Sequence, residues 1–211
     1  MKKIIVLVSG GGTNLQAIID ACGNTISDAH VCAVLSNRAD AYGLQRAQNN
    51  GIDAHFVSPK GYETREKYEE ALADIINLYQ PDLIVLAGYM RILSGPFVRQ
   101  YQGRMINIHP SLLPKYTGLH THQRAIDAGD KEHGTSVHFV TEELDGGPVI
   151  LQAKVPIFDE DNADDVAQRI QAQEHQIYPL VSGWFTQDRL EMKEGVAYLD
   201  GKPLPISGYA S

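Results

Sequence analysis

Short apolar runs alternate with amphipathic segments along the first half of this chain. The runs are rich in β-branched residues and lie at residues 4–8, 31–35, 54–57, 83–86 and 105–108. Between the first four runs, apolar residues recur at helical spacing without hairpin turns. Strand and helix therefore alternate, which predicts parallel strands covered by helices on both faces. We expect an α/β fold with a doubly wound, mostly parallel sheet.

Residues typical of helix ends agree with this alternation. Thr13 or Asn14 can cap the first helix, because their side-chain oxygens accept hydrogen bonds from free backbone N–H groups. Gly51 suits a C-terminal stop and Pro96 a first helical turn. Pro81 follows a long amphipathic segment and is expected to end it. The predicted helices span residues 15–21, 41–50, 64–79 and 163–185.

The second half of the chain has a different pattern. Residues 109–122 are crowded with Pro, Gly and His, which predicts a functional loop. Two further strands are expected at residues 135–140 and 149–155, and a short hairpin at residues 190–204 around Asp200-Gly201. Repeats and linkers are missing from the sequence, so we expect one domain over residues 1–211.

Charge and cysteine content limit the classes of function. The 211 residues carry a formal charge of −8, which argues against nucleic-acid or anionic-membrane partners and leaves small molecules. The first apolar run has five residues, too few for a secretion signal or a membrane span. Cys22 and Cys32 lack a CxxC spacing, and we expect both to be reduced. These features together predict a cytoplasmic protein.

A glycine-rich turn, residues 9–14 (Ser-Gly-Gly-Gly-Thr-Asn), joins the first strand to the first helix. Glycine lets a ligand approach the backbone, and free N–H groups at a helix start face an anion, so the turn predicts a phosphate site. Leu15 stands where the third glycine of a dinucleotide motif belongs, which favours a mononucleotide-like phosphate. The alternative is a tight turn without a ligand.

A polar pair ends the fifth apolar run. Asn107 and His109 are two residues apart, so in a strand both side chains face the same space. In an open α/β sheet, that space is the crevice beyond the carboxyl ends of the strands. Amide and imidazolium N–H groups suit a developing oxyanion, and imidazole can also carry a proton. The alternative is a structural His109 that bonds to the backbone.

Asp145 lies in a Gly-Gly-Pro turn between two predicted strands. We expect its carboxylate to face His109, to favour the protonated ring and to fix its orientation. The alternative is that Asp145 only forms the turn.

Two other kinds of site are less consistent with the sequence. His120, His122 and His133 lack the HxxxH and HExxH spacings of helical zinc sites, so we expect loop and surface histidines and no metal. Ser111 lies in a proline-bounded loop outside any GxSxG elbow, which disfavours a serine hydrolase.

Three motifs resemble those of the folate-dependent formyltransferases and occur in the same order. They are Asn-Ile-His-Pro-Ser-Leu-Leu-Pro at residues 107–114, His-Gly-Thr-Ser-Val-His-Phe-Val at 133–140 and Leu-Asp-Gly-Gly-Pro-Val-Ile at 144–150. The similarity runs from the first strand through the C-terminal tail. It implies a Rossmann-like formyltransferase fold and transfer of a formyl group from 10-formyltetrahydrofolate to the amine of 5'-phosphoribosylglycinamide, without metal or covalent enzyme intermediate.

The resemblance also implies roles for individual residues. Asn107 and protonated His109 would stabilise the tetrahedral oxyanion, while Asp145 would hold His109 and a water would help move the proton. The implied ribonucleotide contacts are Gly12, Thr13, Asn14, Gln171 and Glu174. The implied folate contacts are Arg65, Met90, Arg91, Ile92, Leu93, Asn107, Val140 and Asp145. Thr13 departs from the more usual serine but retains the hydroxyl.

By this resemblance, residues 1–108 form a phosphate- and ribonucleotide-binding half. Residues 109–211 then supply the folate-binding and catalytic loops, the late helix and the C-terminal hairpin. We expect a monomer or a weak homodimer.

Three alternatives remain at this point. A 10-formyltetrahydrofolate hydrolase would carry an additional N-terminal regulatory domain, and a methionyl-tRNA formyltransferase a basic C-terminal domain; neither is expected here. A non-catalytic nucleotide sensor would use the glycine-rich turn and would not need Asn107, His109 and Asp145 together.

Overall fold

A computed structural model describes residues 1–209 of the chain. The strands are β1 (Lys2–Val8), β2 (Ala29–Ser36), β3 (Asp53–Phe56), β4 (Leu83–Leu86), β5 (Met105–His109), β6 (Glu132–Phe139), β7 (Val149–Pro156), β8 (Leu190–Lys193), β9 (Val196–Leu199) and β10 (Lys202–Pro203). The helices are α1 (Thr13–Ala21), α2 (Tyr42–Asn49), α3 (Arg65–Tyr79), α4 (Gly95–Gln100), α5 (Thr121–Asp127) and α6 (Ala163–Thr186).

Seven strands form one sheet in the order β3-β2-β1-β4-β5-β6-β7. Strands β1 to β5 are parallel, whereas β6 runs antiparallel to both β5 and β7. The predicted doubly wound, mostly parallel sheet is therefore confirmed. Its strand order reverses between β1 and β4, and in such sheets the crevice at this point is the usual ligand site.

Apolar residues alternate along β1 between two cores. Ile4, Val6 and Val8 pack on the side of α1, α2 and α6, while Ile5 and Leu7 pack on the side of α3 and α4. Burial on both faces explains why the parallel strands are nearly continuous apolar runs.

Helix α6 is fastened to the centre of the sheet by a buried tyrosine. The Tyr178 hydroxyl lies 2.6 Å from the carbonyl oxygen of Leu86, the last residue of β4, and 3.2 Å from that of Ile106, the second residue of β5. The hydroxyl can donate its one proton to either oxygen. This contact fixes the position of α6 beside the carboxyl edge of the sheet, where its side chains can reach the crevice.

The predicted cap of the first helix is wrong. Neither Thr13 nor Asn14 precedes α1; the helix begins at Thr13, and the cap position is Gly12 with a left-handed φ of 73°. Thr64 caps α3 by accepting a hydrogen bond from the Lys67 N–H, and Ser94 caps α4 just before Pro96. Gly51 follows α2, as predicted, with a φ of 69°.

Two features of the second half differ from the sequence prediction. Helix α5 was not predicted, because its first residues lie in the Pro- and Gly-rich segment. The expected hairpin is a three-stranded sheet, β10-β9-β8, in which Glu194-Gly195 turns the chain first and Asp200-Gly201 turns it second. Among the helices of residues 1–209, none is long and apolar enough to cross a membrane.

Candidate active site

The last residues of β5 bring two polar side chains to the carboxyl edge of the sheet. Asn107 and His109 lie on the same face of β5, and β6 places His138 opposite Asn107 and Ser136 opposite His109. His109 is buried and Asn107 is half-buried. The pairing supports both side chains from a rigid neighbouring strand.

Each ring nitrogen of His109 faces an oxygen. Nδ1 lies 3.6 Å from Oδ1 of Asp145, and Nε2 lies 2.8 Å from the carbonyl oxygen of Tyr116. A carbonyl can only accept, so Nε2 carries a proton. With a carboxylate beside Nδ1, the doubly protonated ring satisfies both neighbours, whereas the neutral ring would turn a lone pair toward Asp145.

Asp145 has a left-handed backbone conformation, with a φ of 54°. Its side chain is 7% exposed, and Oδ2 accepts a hydrogen bond from the Gly118 N–H at 2.9 Å. Asp145 thus forms the turn and also contacts His109, so the two sequence interpretations are compatible.

His138 orients the amide of Asn107. Its Nδ1 lies 2.9 Å from the Phe139 carbonyl, so Nδ1 donates and Nε2 is left as an acceptor. The Asn107 Nδ2 lies 3.4 Å from that acceptor. Burial lowers the pKa of His138, which keeps the ring neutral and able to accept. One N–H of Asn107 is thereby directed to His138, and the second is available to a ligand.

The glycine-rich turn lies at the start of α1, beside the point where the strand order reverses. Its Gly12 approaches α2 so closely that a Cβ atom there would lie 2.8 Å from Cα of Gly43. Only glycine combines this contact with a φ of 73° at low cost.

Gly12→Ala is expected to lower the free energy of unfolding by about 1–3 kcal/mol, from left-handed strain and the clash with α2. Gly10→Ala is the matched control, because a Cβ at Gly10 meets no atom within 4 Å. Urea unfolding of both variants is the measurement. Equal stability of the two would contradict the assigned geometry.

Glu174 connects the glycine-rich turn to β6 and, through Thr135, to the end of β5. Its Oε1 lies 3.4 Å from Asn14 Nδ2, and its Oε2 lies 2.9 Å from the Thr135 hydroxyl, which is also 3.0 Å from the His109 carbonyl. Burial raises the pKa of Glu174, opposed by the hydrogen bonds from Thr135 and Asn14. Gln171 lies one turn earlier on α6 and is exposed.

The segment after β4 presents apolar side chains to solvent. Met90 is 68% exposed and Ile92 is 61% exposed. Leu93 and Val140 are partly buried, and each packs against the core on the α3 side.

Two arginines lie near this segment. The Arg91 guanidinium stacks over the Tyr68 ring, with 4.9 Å from Cζ to the ring centroid. Arg65 is exposed at the start of α3, three residues before Tyr68, so both lie on one side of the helix. Of the eight residues implied as folate contacts, Arg65 is the farthest along the chain from Asn107, His109 and Asp145.

Residues of β6 and β7 fasten the loop that precedes α5. The Ser136 hydroxyl donates to the Ser111 carbonyl at 2.7 Å and accepts from the Leu113 N–H at 3.1 Å. Gln152 Nε2 donates to the Leu113 carbonyl at 2.9 Å. These bonds hold the loop in place just before Tyr116 and Gly118. The backbone groups of those two residues contact His109 and Asp145.

The expectation of surface histidines is wrong for His133. This residue lies in β6 and is 1% exposed, with Nε2 3.2 Å from Nδ1 of the half-buried His122; His120 is exposed. The β6 strand begins three residues earlier than predicted and carries His133 inside. In the part of the chain that is described, residues 1–209, no three His, Cys, Asp or Glu side chains are grouped to hold a metal ion.

Stability is expected to fall as the pH decreases from 6.5 to 4. Burial, and then the charge of His122, lowers the pKa of His133 from 6.5 to about 4, so the unfolded chain binds more protons in this window. The loss for His133 is on the order of 2–3 kcal/mol. Urea unfolding at pH 7.5 and 5 tests this, with His133→Asn as the control. Equal pH dependence in both proteins would contradict it.

Several contacts of the site involve residues to which the sequence assigned no role. His138 and Thr135 lie within one of the recognised motifs, and the pairing of β5 with β6 accounts for His138. Tyr116 and Gly118 act through backbone atoms, for which side-chain identity gives no signal.

An open α/β sheet with an imidazole, a carboxylate and an amide at its carboxyl edge defines an enzyme acting on small molecules. The family model described as "Formyl transferase" matches residues 2–182. This chain belongs to the formyl transferase family.

Individual relatives cover the chain more completely. It is 59% identical over 209 residues to the phosphoribosylglycinamide formyltransferase of Escherichia coli (strain K12), covering 99% of each protein. The solved structure of a phosphoribosylglycinamide formyltransferase from Coxiella burnetii, in complex with CHES, is 52% identical with a TM-score of 0.95, covering 99% of this chain and 98% of that one. A trifunctional purine biosynthetic protein of Drosophila melanogaster is 48% identical over 180 residues, covering 84% of this chain and 13% of that protein.

Proposed function

We propose that this protein transfers the formyl group of 10-formyltetrahydrofolate to the amine of 5'-phosphoribosylglycinamide, a step of purine biosynthesis. The observation that carries the proposal is the cluster of His109, Asp145 and Asn107 at the carboxyl edge of β5. The shared name of full-length relatives, at 59% and 52% identity, supports the choice of substrate.

The chemistry is direct attack of the substrate amine on the formyl carbon. A carbon–nitrogen bond forms to the glycinamide nitrogen, and the bond from the formyl carbon to N10 of the folate breaks. The proton lost by the amine passes through a water to N10. Tetrahydrofolate and the formylated ribonucleotide leave as products.

Two N–H donors act on the intermediate. The free N–H of Asn107 and the Nε2–H of His109 stabilise the oxyanion, and each such donor contributes about 3–4 kcal/mol in mutational terms. Nε2 is 2.8 Å from a carbonyl oxygen of the loop, that of Tyr116, which is the distance that a formyl oxygen requires. The formyl oxygen takes the place of the Tyr116 carbonyl, so the loop shifts when folate binds.

The substrates occupy the two halves of the crevice. Gly12, Thr13 and Asn14 bind the phosphate, and Gln171 and Glu174 bind the ribose and glycinamide. The folate lies along the segment from Met90 to Leu93 and the Val140 side of the site, with its carboxylate tail toward Arg65. The apolar exposure of Met90 and Ile92 supports this placement, because a pteridine ring can cover them.

The test is the release of tetrahydrofolate from 10-formyltetrahydrofolate, followed by absorbance, with and without the ribonucleotide. We expect release only when the ribonucleotide is present. Release to water alone would identify a hydrolase, and binding without release would identify a sensor. A cytoplasmic location and a monomer or weak homodimer stay predictions.

A further inference from the structure

Helix α2 holds the glycine-rich turn by two consecutive carbonyl groups. The Gly43 N–H donates to the Gly10 carbonyl at 3.0 Å, and Nε of Arg46 donates to the Gly11 carbonyl at 2.6 Å. Both donors come from the first two turns of α2. The turn is thus fixed from its outer side by a helix that the motif itself does not include.

Peptide planarity gives these contacts a consequence for the N–H groups. In a trans peptide the C=O and N–H bonds point in opposite directions. Holding the Gly10 and Gly11 carbonyls toward α2 therefore turns the N–H groups of Gly11 and Gly12 away from it. Within residues 1–209, neither N–H has a protein acceptor, so both are free to bind an anion.

Arg46 also brings an unneutralised positive charge to this turn. Its guanidinium lies 4.8 Å from the ring centroid of Tyr42, and Nη1 is 3.5 Å from Oε1 of Gln16. Gln16 in turn donates to Asp20. Across residues 1–209, no carboxylate lies within ion-pair distance of Arg46, although the protein has 26 acidic residues. An unpaired arginine in such a chain is available to an anion.

We propose that Arg46 is a positioning residue for the substrate phosphate. It fixes the Gly11 carbonyl so that successive N–H groups face the phosphate, and its charge favours the bound dianion. This inference rests on the proposed function, because it concerns the phosphate of the same ribonucleotide.

Arg46→Met retains an apolar stem but removes the charge, the Nε donor and the stacking of the guanidinium on Tyr42. We expect the dissociation constant of ribose 5-phosphate to rise roughly tenfold, the loss of a charge-assisted hydrogen bond. The dependence of this dissociation constant on salt concentration should also weaken. The affinity for tetrahydrofolate should stay within about twofold of the original protein, because folate binds elsewhere.

Arg104→Met is the matched control. Arg104 also stacks on a tyrosine, 5.0 Å from the Tyr101 ring centroid, and also donates to a backbone carbonyl, that of Pro81 at 2.7 Å. It precedes β5 and so lies at the opposite edge of the sheet. We expect unchanged ribose 5-phosphate affinity in this variant.

Calorimetric titration of ribose 5-phosphate and of tetrahydrofolate into each folded protein decides the matter. The role of Arg46 is supported if Arg46→Met binds ribose 5-phosphate more weakly but tetrahydrofolate normally, and if Arg104→Met binds both ligands normally. Unchanged binding, or equal weakening for both ligands, overturns it; Arg46→Gln repeats the test if the methionine variant unfolds. Binding requires no turnover, so the two failures are distinguishable: a protein that binds ribose 5-phosphate without transferring formyl refutes the proposed function, whereas unchanged binding by Arg46→Met refutes the role of Arg46.

Discussion

His109→Ala is expected to lower kcat for formyl transfer by about 10²- to 10³-fold, the effect of losing one preorganised oxyanion donor. The same change removes the ring that Asp145 holds at 3.6 Å. KM for either substrate should change much less, because the Nε2–H is directed at charge that develops only in the transition state.

Steady-state kinetics with both substrates test this prediction. His30→Ala is the control, because His30 is an exposed histidine of β2 outside the crevice. Circular dichroism and tetrahydrofolate binding show whether the variant is folded. A His109→Ala protein with more than a tenth of the original kcat would remove this residue from the mechanism.

Asp145→Asn is expected to lower kcat by about 10- to 100-fold and to change its pH dependence. The amide oxygen can still accept from the Gly118 N–H, and asparagine tolerates a φ of 54°. The amide nitrogen then faces His109 Nδ1 and cannot stabilise a charged ring.

Asp145→Ala separates this electrostatic effect from turn geometry. Alanine loses the acceptor for Gly118 and is strained by about 1–2 kcal/mol at a left-handed φ. We expect both variants to lose activity but only the alanine variant to lose clear stability. The assigned role fails if Asp145→Asn keeps the original rate and pH profile.

The parallel part of the fold was predictable because burial on both faces leaves a direct mark on the sequence. Each of the five predicted runs overlaps one of strands β1 to β5, and four of them lie wholly within their strand. The shared face of Asn107 and His109 followed from strand periodicity alone. Local pattern was sufficient for these features.

The rest depended on contacts between distant residues. The antiparallel pairing of β6 with β5 puts His138 opposite Asn107, and no turn signal indicated that direction. His133 is buried because β6 begins before the predicted strand and includes this residue. Arg46 reaches Gly11 across 35 positions, so its contact follows from the packing of α2 and not from the glycine motif.

Backbone atoms account for a further part of the site. The Tyr116 carbonyl and the Gly118 N–H contact His109 and Asp145, and any residue type could supply them. Gly12, in contrast, was recognised as part of a turn, yet its role as the cap residue of α1 depends on a left-handed φ that the sequence did not specify.

Following the formyl carbon itself is the clearest test of whether the formyl group passes directly to the ribonucleotide. Enzyme at substrate concentration is mixed with 5'-phosphoribosylglycinamide and 10-formyltetrahydrofolate labelled with ¹³C at the formyl carbon, and the carbon is followed by NMR. We predict one new signal, that of the formyl group on the glycinamide nitrogen, and its near absence with His109→Ala. Label released as formate, or product formed equally fast by His109→Ala, would contradict transfer at the site formed by Asn107, His109 and Asp145.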